Sequence, residues 1–158
     1  MNAFANPAAS NPTVEIIAFH LGQQQFCVET LAIREIRGWA PSTPLPHAPA
    51  DVMGVMNLRG SVIPIIDVAT RLGMQPTEPS ERSAIVVAEV HNKVIGLVVE
   101  RVSDILTIKR EAIQPVPVVS ESYDPRYAQG IIAIDSGMVC FLNLAGMFAE
   151  LKSDHAAA

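Results

Sequence analysis

The segment over residues 54–68, GVMNLRGSVIPIIDV, places two short apolar runs on either side of the dipeptide Arg59-Gly60. Apolar runs separated by a two-residue turn of this kind predict a β-hairpin. Gly60 can adopt the positive φ that a tight turn requires without a steric penalty. Arg59 is then a long cation at the tip of the hairpin. No acidic residue lies within seven positions of it on either side, so the sequence predicts a guanidinium without a local carboxylate partner. The centre of the chain is therefore predicted to fold as an antiparallel pair of strands.

The same pattern occurs a second time in the chain. A shift of 76 residues (130 − 54) aligns GIIAIDSGMVCFLNL, residues 130–144, with the hairpin segment without a gap. Gly130 falls on Gly54, and Asp135 falls on Arg59. Two units of this kind, each a hairpin followed by a short helix, predict a duplicated small barrel.

Short runs rich in β-branched residues, bounded by turn residues, predict the other strands. The predicted strands cover residues 14–21, 24–28, 83–90, 94–102, 104–108, 129–134 and 138–142. A helical turn that runs into a strand is predicted over 30–38, one helical turn over 109–113, and short helices over 68–72 and 144–151. Many short strands favour barrels, because closure removes the exposed edges of an apolar sheet.

Composition limits the classes of function. The chain of 158 residues fits one domain or two small subdomains, with 49% hydrophobic and 17% charged residues. A net charge of −5 and a pI near 5.3 give no electrostatic footprint for nucleic acid or for an anionic membrane. The charge-free runs are shorter than a membrane span, and residues 1–12 lack the basic and apolar regions of a signal peptide. We therefore expect a cytoplasmic protein without direct membrane insertion.

No motif for catalysis, cofactor binding or metal binding occurs in the sequence. The four histidines have no ligand spacing, and neither a nucleophile motif nor a phosphate-binding glycine loop is present. Cys27 and Cys140 stand far apart in apolar runs, which predicts buried thiols. The sequence thus favours a binding protein over an enzyme. For Arg59 two interpretations remain open: its guanidinium binds a partner's carboxylate or carbonyls, or it only solvates a turn.

Three motifs resemble those of one known family. The string N-L-R-G-x-V-I-P-I-x-D-[VL] from Asn57 onward, REIRGW over 34–39 and VIGLVVERVSDIL over 94–106 are similar to the CheW family. Proteins of this family are adaptors that couple chemotaxis receptors to the histidine kinase CheA. The resemblance covers residues 14–151, nearly the whole chain.

The resemblance implies a mainly β fold of two small SH3-like five-stranded β-barrels that share a core, with short helices including a C-terminal one. It implies a CheW-like domain over 13–152. Residues 1–12 have few side chains to bury, which predicts a mobile tail, and residues 153–158 are expected to form a C-terminal tail. It also implies neither catalytic activity nor a cofactor or metal. The expected localisation is cytoplasmic, with recruitment to membrane-associated receptor arrays.

The resemblance also implies two partners, namely the cytoplasmic tip of a methyl-accepting chemoreceptor and the regulatory domain of a CheA-type histidine kinase. The receptor-binding residues that it implies are Glu35, Ile36, Asn57, Arg59 and Val99. The kinase-binding residues that we expect on the proline-rich connector are Trp39, Thr43 and Leu45.

For Val99 and Trp39, a position in the core is the alternative interpretation. For the whole protein, two alternative functions stay open. One is the same adaptor role in another CheA-type pathway, such as twitching motility or biofilm control, and the other is a small-molecule-binding β-barrel.

Overall fold

The computed structural model describes residues 12–117 and 126–152, which form short strands joined by tight turns, loops and a few single helical turns. The strands are β1 (Thr13–Leu21), β2 (Gln24–Glu29), β3 (Ile33–Gly38), β4 (Val52–Leu58), β5 (Ser61–Asp67), β6 (Ala84–Val90), β7 (Lys93–Val99), β8 (Arg101–Lys109), β9 (Ala128–Ile134) and β10 (Gly137–Leu142). The helices are α1 (Val68–Arg71) and α2 (Leu144–Met147), with 3₁₀ turns at Thr30–Ala32 and Arg110–Ala112. The predicted tails at 1–12 and 153–158 lie outside the described residues, except for Pro12.

The strands form two five-stranded sheets, which confirms the predicted mainly β fold. Barrel A has the strand order β8-β1-β2-β10-β9, and barrel B has the order β3-β6-β7-β5-β4. In each sheet one pair is parallel, β2 with β10 and β5 with β7, and the other pairs are antiparallel. Each sheet closes into a barrel, because the segment that follows one edge strand forms a bridge to the other edge strand. Thr43, after β3, bridges Val55 on β4, and Gln114, after β8, bridges Ile131 on β9.

The two halves of the chain are related by a quasi-two-fold symmetry that is visible in the pairing registers. Ile36 pairs with Val86, and Ile105 pairs with Ile17. Val86 corresponds to Ile17 and Ile105 corresponds to Ile36, because each is shifted by 69 positions (86 − 17 and 105 − 36). Strands β1–β3 therefore correspond to strands β6–β8. The offset for β4, β5 and α1 against β9, β10 and α2 is 76, as the sequence repeat predicted.

The two barrels do not coincide with the two halves of the chain, β1–β5 and β6–β10. β3 of the first half pairs with β6, and β8 of the second half pairs with β1. Barrel A therefore contains β1 and β2 of the first half with β8, β9 and β10 of the second, and barrel B contains the remainder. Because each barrel is completed by strands from the other half, neither half can close a barrel from its own strands alone.

Three apolar clusters fill this arrangement. Each barrel has its own core, and a third cluster, the common core, lies between the barrels. Along β1, Ile16 and Ala18 face the core of barrel A, whereas Ile17 and Phe19 face the common core. Both faces of the central strands are thus buried, which explains why their sequences are continuously apolar instead of alternating.

Two predicted elements differ from the structure. The single strand predicted over 94–102 is divided at Glu100, because β7 belongs to barrel B and β8 to barrel A. Glu100 lies between these two strands and is bonded to barrel A. Its backbone N–H donates to the His20 carbonyl, and its side chain accepts the Gly22 N–H. The helix predicted over 144–151 is one α-turn followed by a 3₁₀ turn, because Phe148 leaves the helical conformation at φ −117° and ψ 42°. In the described part of the chain, no helix has the length and apolar character to cross a membrane.

Candidate functional site

The tip of the β4–β5 hairpin is a two-residue turn, as the sequence predicted. Leu58 pairs with Ser61, and the two residues between them have positive φ, 52° at Arg59 and 90° at Gly60. Positive φ at both central positions matches the right-handed twist of the flanking strands. The Asn57 side chain accepts the Gly60 N–H at 3.0 Å and so stabilises the turn from within the chain.

Arg59 is not a lone cation in the folded chain. Its Nη2 lies 2.5 Å from Oε1 of Glu35 on β3, and Arg37 Nη1 lies 3.4 Å from the other carboxylate oxygen. The hydrogen bond from Arg59 lowers the pKa of Glu35 below its ordinary value, and Arg37 acts in the same direction. The sequence prediction of an isolated guanidinium was therefore wrong, because the acidic partner comes from a strand that lies outside the hairpin. The Arg59 side chain is nevertheless 68% exposed, so much of it still faces solvent.

An open groove of about 440 Å³ lies beside this ion pair. We call it the barrel B groove. Its floor is apolar because Leu58, Ile63 and Val87 belong to the core of barrel B. Its rim is charged, since Glu35 and Arg59 line it. A groove of this kind combines an apolar surface with polar groups that can orient a partner side chain.

Ile36 and Asn57 lie on the other face of the same sheet. Side chains alternate between faces along a strand, so Ile36 points away from Glu35. Ile36 pairs with Val86, which is buried in the common core, yet Ile36 itself is 42% exposed. Asn57 is exposed and pairs with Val62, which like Ile36 is an exposed apolar residue. Of the receptor-binding residues predicted on β3 and β4, Glu35 therefore lies on one face of the sheet and Ile36 and Asn57 lie on the other.

Val99 does not share this exposure. Its side chain is fully buried in the common core at the end of β7. It cannot contact a partner directly, and of the two interpretations of Val99 the structure supports the position in the core. The reason is that β7 is a central strand whose two faces are both covered.

The three connector residues have different environments. Trp39 is half-buried and packs against the core of barrel B. The backbone of Thr43 exchanges hydrogen bonds of 2.8 and 2.9 Å with Val55 and closes the barrel, although its side chain is exposed. Leu45 is 46% exposed and is the apolar side chain that this segment presents to solvent.

Arg71 is a structurally important residue that the sequence analysis missed. From α1 its guanidinium donates to Asp51 at 3.0 Å, to the Met147 carbonyl and to both carboxylate oxygens of Glu150 at 2.6 Å. It also lies 4.6 Å from the centre of the Phe148 ring, which favours a cation–π contact. Burial acts to lower the pKa of Arg71, but the acidic partners outweigh burial and raise it. No signal in the sequence indicated this role, because the partners of Arg71 come from segments that are distant in the chain.

The described residues contain no group of three or more His, Cys, Asp or Glu side chains that could hold a metal ion. Cys27 is buried in the core of barrel A, and burial raises its thiol pKa to about 12. Cys140 is half-buried, and burial raises its pKa as well. The thiols are thus mainly protonated at neutral pH, as expected for structural cysteines.

Comparison with known proteins gives consistent results. Residues 15–152 match the family model described as CheW-like domain. The chain is 52% identical over 142 residues to a probable chemotaxis protein CheW of Rhizobium etli, covering 90% of this chain and 92% of that protein. It is 31% identical over 136 residues to a chemotaxis protein CheW of Klebsiella aerogenes, covering 86% and 82%.

A solved structure agrees with these sequence matches. The scaffolding protein TtCheW of Thermoanaerobacter tengcongensis superposes with a TM-score of 0.78 and 28% identity, covering 85% of this chain and 92% of that chain. The family model and the sequence relatives both extend over most of the residues that form the two barrels. The chain therefore belongs to the CheW family of chemotaxis proteins.

Proposed function

We propose that this protein is a non-catalytic adaptor that links the cytoplasmic tip of a chemoreceptor to the regulatory domain of a CheA-type histidine kinase and supports regulation of that kinase. The observation that carries the proposal is that barrel B exposes two patches built from different chain segments. The tip patch consists of Glu35 and Arg59 at the rim of the barrel B groove, together with Ile36 and Asn57 on the other face of the same sheet, and the connector patch consists of Thr43 and Leu45. Two patches are what an adaptor needs in order to hold two partners at once.

The tip patch suits the receptor. A chemoreceptor tip is a helical hairpin, which presents apolar side chains at intervals of three and four residues together with polar groups. The barrel B groove offers an apolar floor, and the ion pair of Arg59 with Glu35 at its rim can fix the register of a bound helix. Arg59 retains exposed donors that can bind a receptor carboxylate or carbonyl.

The connector patch suits the kinase. Pro41, Pro44, Pro46 and Pro49 restrict the backbone of this segment, so that little conformational entropy is lost when it binds. Leu45 can then fill an apolar site on the partner, while Trp39 anchors the segment to barrel B from inside. Moderate affinity at each patch is sufficient in a receptor array, because many linked sites add avidity. We infer a cytoplasmic protein that such arrays recruit to the membrane.

Binding of two purified partners tests the proposal. Arg59→Ala should weaken binding to a soluble chemoreceptor tip fragment by roughly 30-fold and spare the kinase regulatory domain. Leu45→Asp should do the reverse, because a charge desolvated in an interface costs several kcal/mol. Each variant is first checked for an unchanged melting temperature.

Matched substitutions elsewhere control for charge and exposure. Arg82→Ala removes an exposed arginine in the loop after α1, and Leu31→Asp places a charge on an exposed leucine of the first 3₁₀ turn. Arg82→Ala should keep receptor binding, and Leu31→Asp should keep kinase binding. If Arg59→Ala and Leu45→Asp lose the same partner, the two patches are one site and the adaptor proposal fails.

A further inference from the structure

The turn at the tip of the β4–β5 hairpin contains a backbone conformation that arginine rarely adopts. In the described part of the chain, four residues other than glycine have positive φ, and three of them are His47, His91 and Asn92. Asparagine and histidine are enriched several-fold in this region of φ, whereas arginine is not. The fourth residue, Arg59 with φ 52°, therefore needs its surroundings to hold it in this conformation.

One contact within the hairpin holds the turn. The Asn57 side-chain oxygen accepts the Gly60 N–H at 3.0 Å, and this N–H belongs to the peptide unit that joins Arg59 to Gly60. Rotation of that peptide unit would change ψ of Arg59 and φ of Gly60 together, and it would break the hydrogen bond. The Asn57 side chain thus restricts both central residues of the turn.

The tip of the other hairpin, β9–β10, has no such side chain and a different turn. The repeat offset of 76 places Ala133 at the position of Asn57, and alanine carries no side-chain acceptor. The β9–β10 turn also has two central residues, Asp135 and Ser136, but neither of them has positive φ. The fold therefore accepts two conformations of this tip, and the accepting side chain occurs with the conformation of Arg59.

The conformation of the turn decides where the Arg59 side chain points. The direction of a Cβ atom follows from φ and ψ of its residue, and here the guanidinium reaches Glu35 at 2.5 Å, at the rim of the barrel B groove. Asn57 points to the opposite face of the sheet, because it pairs with the exposed Val62 while its neighbour Leu58 lines the groove. A partner seated in the groove thus meets Arg59 and not Asn57.

We propose that Asn57 is a positioning residue of the tip patch, whose side chain holds the turn that aims Arg59 at Glu35 and makes no contact of its own with the receptor. The inference rests on the adaptor function proposed above. The role in receptor binding that the family resemblance implies for Asn57 is then exercised through Arg59.

The first measurement needs no partner. The hydrogen bond from Arg59 lowers the pKa of Glu35, so this pKa reports on the position of the guanidinium. Titration of the Glu35 carboxyl group by NMR in the full chain should give a pKa in Asn57→Ala that is raised toward the ordinary value. Val62→Ala is the control, since it removes an exposed side chain from the same face as Asn57, and it should leave the Glu35 pKa unchanged.

The second measurement is a double-mutant cycle with a soluble chemoreceptor tip fragment. Asn57→Ala should weaken binding of the fragment roughly fivefold, as expected for the loss of one hydrogen bond. In the Arg59→Ala background the same substitution should change the affinity by less than about twofold, because the group that it positions is absent. Asn57→Asp keeps the accepting oxygen and loses the amide donors, so its affinity should stay within about twofold of that of the unsubstituted chain. Dispersed amide spectra confirm that each variant is folded.

Three results would overturn the proposal. An unchanged Glu35 pKa in Asn57→Ala would show that the turn does not need this side chain. Additive losses of affinity in the double-mutant cycle would show that Asn57 contacts the receptor directly. A loss of binding in Asn57→Asp as large as that in Asn57→Ala would assign this contact to the amide group.

Failure of the adaptor function gives a different result. Arg59→Ala would then keep its full affinity for the chemoreceptor tip fragment, and Asn57 would have no role in receptor binding to serve. The Glu35 pKa in Asn57→Ala would still show whether Asn57 positions Arg59, because that measurement involves no partner.

Discussion

Arg59 and Glu35 are 24 residues apart in the chain, yet Nη2 of the first lies 2.5 Å from Oε1 of the second. β3 and the β4–β5 hairpin stand at opposite ends of the strand order of barrel B, and closure of the barrel brings them together. The ion pair is therefore a consequence of closure. It also gives the tip patch a defined geometry before any partner binds.

The exposed position of this ion pair predicts a small effect on stability. Arg59→Ala should leave the melting temperature within about 2 °C, because exposed ion pairs contribute little. Thermal unfolding monitored by circular dichroism measures this. A drop of the size expected for a core substitution would mean that the guanidinium supports the barrel itself, and its proposed role in binding would then need separate proof.

Acid titration gives an independent check on Glu35. Its pKa is lowered in the folded chain by the Arg59 hydrogen bond, so its contribution to stability is present above the unfolded pKa of about 4.3 and is lost as the pH falls through the lower folded value. Glu35→Gln should flatten this part of the curve of stability against pH. An unchanged curve would show that the ion pair is not formed in solution.

Gly54 and Gly130 each stand one residue before a strand residue, Val55 or Ile131, whose bridge closes a barrel. Substitution of either glycine is predicted to be destabilising. A Cβ on Gly54 would lie 2.3 Å from the Thr43 carbonyl oxygen, and one on Gly130 would lie 2.6 Å from that of Gln114. Gly54→Ala and Gly130→Ala should each lower the free energy of unfolding by about 2 kcal/mol or more, because the crossing backbone must move.

Gly38→Ala is the control for these substitutions, since nothing lies within 4 Å of the added Cβ. It should change stability by less than about 0.5 kcal/mol. Urea unfolding of the three variants measures the difference. Equal stabilities would show that the connector does not cross the hairpin strands at these glycines.

Arg71 predicts a large effect of removing one cation. Its side chain is 18% exposed, and Arg71→Met would leave the buried carboxylate of Asp51 and the Met147 carbonyl without their shared donor. The free energy of unfolding should fall by about 3 kcal/mol. Arg34→Met removes an exposed arginine that pairs with Glu89 on the surface, and it should cost less than about 1 kcal/mol. Similar urea unfolding curves for both variants would contradict this difference.

The two cysteines predict selective modification. Cys27 is fully buried with a pKa of about 12, whereas Cys140 is half-buried and lies beside two surface grooves. A thiol reagent at pH 8 should modify Cys140 slowly in the native protein and should reach Cys27 only after unfolding. Mass spectrometry of the modified peptides measures both sites. Modification of Cys27 at native rates would show that barrel A opens locally.

Local features of the chain were sufficient to predict a large part of the fold. The turn at Arg59-Gly60 follows from the conformational freedom of glycine between two apolar runs, and the repeat offset of 76 predicts the second hairpin in the correct register. The division of the chain into short strands follows in the same way, from turn residues and β-branched composition. These features depend on neighbours in sequence, and the sequence therefore contains them.

The tertiary structure decided which strands belong together. Because both faces of β6 and β7 are buried, their sequences carry no alternation that would identify the barrel they face or the sheet that β8 joins. The pairing of β1 with β8 and of β3 with β6, which mixes the two halves in each barrel, therefore could not be predicted, nor could the break at Glu100. The same uncertainty left the environment of Val99 open.

For the candidate site as well, the sequence predicted some features and only the tertiary structure decided the others. The family motif located Glu35, Asn57 and Arg59 by residue number, but the contact between Arg59 and Glu35 exists only because the barrel closes. Arg71 was missed because its partners Asp51, Met147 and Glu150 come from segments that meet only in three dimensions. The sequence by itself determined the residues and local shapes of this protein, whereas long-range packing of strands buried on both faces decided which residues meet.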